Sequence, residues 1–468
     1  MLVTNREVPV SFNQEQMLLR FELLKRRGVD TRGLSDHRAV FAIKDSVDQD
    51  MLARALGQLI DRHAALRSAL AFGARYTEQH RRVYLNCFAR HGTFVPGLFT
   101  QQVHHEVPLD LRVRAIDPSL NERDALEQAA LDDESEPLDL SQPPVVRVSL
   151  LKDRKIRAMI VASSHLTHDA ISGDIMIGEL ECIYRALQLG TEPTLGPAGS
   201  HVEFARREYS NFAKGVSRTH EDYWWRCWNE HRHTVVQASE LPFAKAAPRR
   251  AQFGKGASRV CQASSADSDA ITLAARRSRV TTYILFRAIM TTALYRCIGR
   301  KTIAFWANFI NRQREADMTT IGWCATTHLV PTRVDPHGSF LDVVLNVSKS
   351  MQLAMNHATI PLAAVWLRHG KDLTRGLDAR VNFDATPARV RPSEERFFEQ
   401  LHLPNAVRAV DFDIRVTSTP SLSLTARFNY ERYDADGVQA TLNGMMRVAV
   451  AFASNPNLTF DESCALFD

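Results

Sequence analysis

VVRVSLLKDRKIRAMIVASSHLTHDAISGD, residues 145–174, carries the clearest structural pattern in the chain. It holds two β-rich runs, 145–151 and 156–165, joined by the polar tetrad KDRK, which has hairpin-loop length. The second run ends at Ser164-His165. Asp169 then precedes a helical pattern with Ile175, Ile177, Leu180, Ile183 and Leu187 among its apolar positions. The polar residues of this stretch therefore sit where a strand hands over to a helix, and the chain reads as mixed α/β.

Outward from there the same alternation continues. Upstream, DMLARALGQLIDRHAAL (50–66) places Met51, Leu52, Ala55, Leu56, Leu59 and Ile60 on one helical face, with Asp48 or Asp50 as the cap. Downstream, LGTEPTLGPAGS (189–200) carries three Gly and two Pro in twelve residues, a linker composition. Two lobes are expected on either side of it, 1–190 and 191–468. In the second, 281–298 reads as a long buried helix, 421–430 as an alternating strand, and 434–452 as a helix capped by Asp434 or Asp436. The basic, aperiodic stretch 241–256 reads as a surface loop.

At 468 residues the chain is too long for one ordinary core, which agrees with two lobes. Apolar residues at 45% and charged residues at 24% are the balance of a soluble globular protein. No apolar run approaches the roughly 20 residues that span a bilayer. The N-terminus has the profile of neither a signal nor a transit peptide. A cytoplasmic location is expected. The seven cysteines form no CxxC pair, which argues against a zinc knuckle and suits reduced, mostly buried thiols. A net charge of +5 without a basic stripe gives no case for nucleic acid.

A His at a strand end, four residues before a helix-opening Asp, can point its imidazole into a cleft and meet an incoming amine or hydroxyl. The Asp can turn back, pair with an Arg and fix the turn that aims the His. N–H groups at the helix start can stabilise an acyl-transfer oxyanion. Alone, an HxxxD pair is a weak signal, because a lone His is more often structural. Metal binding by His165, His168 and Asp169 would need a distant fourth ligand that nothing signals.

The pattern does not stand alone. SHLTHDA (164–170) resembles the HHxxxDG motif of nonribosomal peptide synthetase condensation domains, members of the chloramphenicol acetyltransferase-like superfamily. Other segments resemble that family's motifs in the same order. They are SFNQEQMLL (11–19), RHAALRSAL (62–70), HVEFARREYS (201–210) with DYWWRCW (222–228), NRQREADMTTIGWCATTHLVPTRV (311–334), NHATIPLAAV (356–365) and VNFDATP (381–387). The 311–334 stretch resembles the region from GRNRPE to IGxFVNTxxLR. The departures are Ser164 for the first His, Ala170 for the Gly, Cys324 for an aromatic and Thr326 for an Asn.

The resemblance implies two similar lobes in a V-shaped pseudo-dimer with a tunnel between them. His165 is its catalytic residue, accepting or positioning the proton of the acceptor. Asp169 is structural, with Arg67 as the candidate partner, while Arg62 and His63 support a helix end. Ala170 offers its N–H near the acyl carbonyl. Ser164, Trp323, Thr326 and Asn382 are candidates to line the tunnel, Trp323 and Thr326 coming from the segment that matches the bridging latch. Asp384 is a weaker candidate on the acceptor side, and His168 is expected to point away from His165.

The implied activity is acyl transfer from a carrier-protein phosphopantetheine thioester to an amine or hydroxyl, including chain release in peptide or polyketide biosynthesis. The implied enzyme is freestanding and monomeric, needs no bound cofactor or metal, and meets its acyl or peptidyl carrier in trans. Its acceptor is a small molecule or is itself carrier-bound, and neither nucleic acid nor membrane is a partner. Two alternatives stand beside it. One is a CoA-dependent acyltransferase, although the DFGWG motif of those relatives is absent. The other is an inactive recruitment module of the same fold. The absence of Walker, GxGxxG and GxSxG motifs argues against ATP, nicotinamide and hydrolase-triad chemistry.

Overall fold

The computed structural model describes residues 7–32, 34–44, 46–91, 96–117, 119–245, 254–370, 381–385, 397–401, 403, 408–409, 412–418 and 421–468. The 145–174 stretch forms the strands Val146–Lys152 and Ile156–Ser164, paired antiparallel, and the start of the helix Ala170–Leu189. They belong to a sheet with strand order Phe398–Leu401, Asp36–Ile43, Ile156–Ser164, Val146–Lys152, Leu111–Ala115. Only the last pair is parallel.

Both faces of this sheet are covered, which explains the unbroken apolar run 158–162. Met159 and Val161 pack under the helices Gln49–Arg62 and Ala170–Leu189. Ala158 and Ile160 pack with Leu126, Ala129 and Ala130 of the helix Glu122–Glu134 on the other side. The first of these helices starts where Asp48 accepts the N–H of Met51 at 2.7 Å.

The second half builds a larger sheet in the order Thr326–Arg333, Thr302–Phe309, Val381–Ala385, Phe412–Thr417, Ser423–Asn429, Gly254–Gln262, Arg408–Ala409. The expected helices are Thr282–Ile298 and Ala435–Ser454, the latter capped by Asp434. They cover one face of that sheet. On the central strands Phe383, Phe412, Ile414, Val416, Leu424, Ala426 and Phe428 point into that core, and the alternate residues face away from it.

The two halves are interleaved. Phe398–Leu401 leaves the second half to become an edge strand of the first sheet, so the chain crosses back over the boundary read at 190/191. A further core cluster joins Phe12, Leu18 and Leu19 of the helix Phe12–Arg26 to Leu166 and to Ala363 and Ala364 of the helix Leu362–His369.

Two smaller expectations change. Of the seven cysteines, all free, only Cys227 and Cys324 are buried, because the others fall on half-exposed or outer positions. The surface loop read over 241–256 ends in strand from Gly254, where Gly254 pairs with Ala409, and Gly256 and Ala257 pair with Asn429 and Phe428. Residues 246–253 lie outside the described residues. No described helix is long and apolar enough to cross a membrane.

Candidate active site

The turn after Ile156–Ser164 is wound around Ser164. Its carbonyl accepts the N–H groups of Thr167 (2.9 Å) and His168 (3.1 Å), the Thr167 hydroxyl and the Nδ1–H of His168 (2.9 Å). Its hydroxyl meets that of Ser35 at 2.7 Å and accepts Leu166 N–H. Gln14 donates to Leu166 O at 2.6 Å, tying the N-terminal helix to the same turn. The turn is therefore over-determined, and it aims His165.

His165 Nδ1 lies 2.8 Å from the carbonyl oxygen of His168. A carbonyl only accepts, so Nδ1 carries the hydrogen and Nε2 holds a lone pair. Among the described residues Nε2 has no hydrogen-bond partner. Trp323 stacks on the ring at 4.5 Å, and His37 meets it edge-on at 5.1 Å. Burial depresses the imidazole to about 4, against a smaller upward pull from the His168 carbonyl. At neutral pH the ring is uncharged.

His37, His165 and His168 form a cluster, with His37 and His168 centroids 5.7 Å apart. His37 is solvent-exposed, yet enclosure by protein is the largest influence lowering its imidazole, followed by His165, His168, Arg427 and Arg415. The exposed ring thus lies between the histidines of the first sheet and the arginines of the second, and we call the space there the cleft. His168 takes part in the wall rather than in the reacting position. Its Nδ1–H is committed to Ser164 O, and its Nε2 accepts from the Ser163 hydroxyl at 3.3 Å.

Asp169 caps the helix Ala170–Leu189 and is buried. Its Oδ1 accepts from Ser172 N (2.9 Å) and Arg312 Nη2 (2.8 Å) and lies 2.8 Å from Ser172 Oγ. Its Oδ2 accepts from Cys324 N and Ala325 N, both at 3.1 Å. Burial alone would raise this carboxyl, but Arg312 and the Ser172 hydrogen bonds outweigh it and hold it below the usual range. Arg312 is itself fully buried and donates from Nη1 to Asp317 O and Thr320 O. One carboxylate thus ties the His165 turn of the first half to the 312–325 segment of the second.

The expected pairing with Arg67 is corrected. Arg67 donates to the carbonyls of Asp61 and His104, because the turn after the helix Gln49–Arg62 points it along that helix end and away from the cleft. Arg62 and His63 both meet Glu179. Ser164 and Thr326, expected to line a passage, do not. Both are fully buried, Ser164 in the turn and Thr326 with its hydroxyl donated to Ala358 O at 2.7 Å.

Trp323 does face the cleft, on the His165 ring. Asn382 lies on the polar face of the larger sheet, half-buried, with its Oδ1 unpartnered among the described residues. Ala170 is exposed at the first turn of its helix, where N–H groups have no intrahelical acceptor.

Sequence reasoning missed Arg312 and His37. Arg312 had a signal, being the first Arg of the segment that resembles GRNRPE. Asn311, at that motif's Gly, has φ +49°, a left-handed conformation that Asn tolerates. His37 had none, since its place beside His165 comes from the antiparallel register of Asp36–Ile43 on Ile156–Ser164.

Comparison with known proteins bears on the family and the fold. The Condensation domain family model matches residues 95–466. Gramicidin S synthase 2 of Brevibacillus brevis is 22% identical over 431 residues, 89% of this chain and 9% of that protein. Phosphinothricin tripeptide synthetase PhsC of Streptomyces viridochromogenes is 24% identical over 363 residues, 76% of this chain and 30% of that protein. The chain spans under a tenth of the length of gramicidin S synthase 2 and under a third of PhsC.

Among solved structures, the first condensation domain of the calcium-dependent antibiotic synthetase superposes with TM-score 0.78 at 17% identity, covering 98% of this chain and 99% of that one. SgcC5 of Streptomyces globisporus gives 0.74 at 18% identity, covering 96% and 100%. With the family model matching most of its length, the chain belongs to the condensation-domain family.

Proposed function

We propose that the protein transfers an acyl group from a carrier-bound phosphopantetheine thioester to an amine or hydroxyl, with His165 as the catalytic residue. The observation that carries this reading is the state of His165. Its ring is neutral, its Nδ1–H is committed to the His168 carbonyl, and its Nε2 lone pair is open in a protein-enclosed cleft. An acceptor N–H or O–H placed on Nε2 would be oriented for attack and relieved of its proton as the C–N or C–O bond forms. The thiol of the arm then leaves with that proton. A thioester is already activated, so the site needs to position two reactants and exclude water. Positioning alone supplies roughly 7–11 kcal/mol in the best cases.

Ala170 N–H, at the positive end of its helix, is the donor nearest in sequence for the developing oxyanion. Asp169 and Arg312 are positioning residues. They hold the turn and the opposite segment and touch no substrate. A carrier protein supplied in trans and a passage open from both sides belong to this proposal.

The test is mass spectrometry of a carrier-loaded acyl donor incubated with candidate amines and alcohols. The wild-type chain is expected to form an amide or ester. His165→Ala should lower its formation by roughly 10²–10⁴-fold while circular dichroism stays unchanged. Full turnover by His165→Ala would remove the mechanism. Preference for the free CoA thioester over the carrier-bound one would replace the carrier with a soluble donor.

A further inference from the structure

Across the cleft from the histidines, the polar face of the larger sheet carries an ordered row. Thr327 donates to Asn308 Oδ1 at 2.6 Å, and Asn308 donates to Asp384 Oδ2 at 2.8 Å. Asp384 pairs in register with Arg415, Asn382 with Asp413, and Asp413 with Arg427. The row begins at Thr327, four residues from Trp323, which stacks on His165. Its far end, Arg415 and Arg427, acts electrostatically on His37, and Arg415 also acts on His165. Strand alternation forces this placement. Ile414, Val416, Leu424, Ala426 and Phe428 fill the core, so residues 413, 415 and 427 must point the other way.

The row holds two carboxylates and two guanidiniums, so its formal charges balance, but the pairing is uneven. A single oxygen, Asp413 Oδ2, accepts from Arg415 Nε (3.0 Å) and from Arg427 Nη2 (2.7 Å) and Nε (3.3 Å). Asp384 spends its carboxyl on Asn308 and on Ala385 N–H, makes no ion pair among the described residues, and acts on both guanidiniums only at longer range. Both terminal amino groups of Arg415 and Nη1 of Arg427 are left without a partner among the described residues. The two side chains remain 33% and 29% exposed. Their mutual repulsion is the largest influence on Arg427.

We propose that Arg415 and Arg427 form a subsite for a carboxylate carried by one of the two reacting molecules, held across the cleft from His165. This rests on the reading of His165 given above and adds a substrate class to it. Two guanidiniums anchored on one carboxylate, with their planar amino edges free, suit bidentate capture of a second carboxylate. The phosphate of a phosphopantetheine arm is a poorer fit. It lies at the far end of the pantetheine from the thioester, whereas Arg415 is close enough to act on the His165 ring. The carboxylate comes from the acyl chain or from the acceptor.

The test is calorimetric titration of the full chain with matched probes. The donor pair is the N-acetylcysteamine thioester of glutaric acid against that of its monoamide. The acceptor pair is 4-aminobutanoate against 4-aminobutanamide. The third pair is phosphopantetheine against pantetheine.

One carboxylate probe is expected to bind roughly ten- to hundredfold more tightly than its amide, the worth of hydrogen bonds to charged groups. Arg415→Met should bring that ratio close to one and Arg415→Lys should keep part of it. Arg427→Met checks the second guanidinium, and Arg415→Met suffices if that variant misfolds, since Arg415 gives Asp413 only its Nε. Equal binding within both carboxylate pairs would overturn the proposal. So would a ratio that survives Arg415→Met, or a preference confined to phosphopantetheine. Binding is read without turnover, so this failure leaves the role of His165 standing. A fully active His165→Ala with the carboxylate preference intact would sink that role instead.

Discussion

At the residue scale the site depends on one buried carboxylate. Asp169 receives hydrogen bonds from two stretches of chain at least 140 positions apart, and it compensates a guanidinium with no exposure. Asp169→Asn leaves the Arg312 charge buried and unpaired. Breaking such a pair costs about 3–5 kcal/mol, so chemical denaturation should show a loss of that order. Arg67→Ala should cost much less, since it removes a half-exposed side chain bonded to two carbonyls. Equal losses would mean that the carboxylate is not the tie.

The sequence pointed to His165 and Asp169 because strand end, cap and motif coincide there. It named Arg67 as the partner of Asp169 and passed over Arg312. Both stand in motif-like segments, and only the packing of the second half against the first brings one of them to the carboxylate.

At the element scale the 312–325 segment is held at close quarters. A Cβ on Gly322 would fall 2.2 Å from the His201 ring, whose Nε2 donates to Trp323 O at 3.3 Å. Gly322→Ala must therefore push the helix His201–Ala213 or the Trp323 backbone aside. Overpacking of this kind typically costs 1–3 kcal/mol. The expected result is a lowered melting temperature together with a changed fluorescence environment at Trp323, which would lose its stacking on His165. An unchanged melting temperature and spectrum would show that the segment has slack.

The elements themselves were largely legible in the sequence. The hairpin 146–164, the Asp48 and Asp434 caps and the helix 282–298 follow from period and capping residues. The return of Phe398–Leu401 to the first sheet was not, because a four-residue edge strand carries almost no pattern and its partner lies about 350 positions away. The Arg415–Arg427 pair was equally hidden, since Asp, Arg and Thr at alternate strand positions look like any solvated face.

At the scale of the whole molecule, one buried and one half-buried carboxyl lie near the joint between the halves. Glu15, on the helix Phe12–Arg26, accepts from Leu98 N (2.8 Å) and Phe99 N (3.3 Å), and its Oε2 has no partner among the described residues. Glu208 accepts from Phe12 N at 3.2 Å. Burial pushes each up to about 8.

Both values lie above the unfolded value near 4.5, so the folded chain holds protons that the unfolded chain gives up. The stability associated with these groups is full below about pH 4.5 and falls as pH rises through 8. Glu15→Gln should therefore gain on the wild type by up to a few kcal/mol between pH 5 and pH 8.5. Melting curves across that range check this, and a gain independent of pH would contradict it.

The mechanism requires His165 to stand neutral, with its hydrogen on Nδ1 and its Nε2 open. Nuclear magnetic resonance of the ¹⁵N-histidine-labelled chain, assigned by loss of the signal in His165→Ala, tests it directly. The expected result is an Nδ1–H tautomer at pH 7 that protonates only near pH 4. An Nε2–H tautomer, or a ring that gains its proton near the ordinary 6.5, would contradict the account.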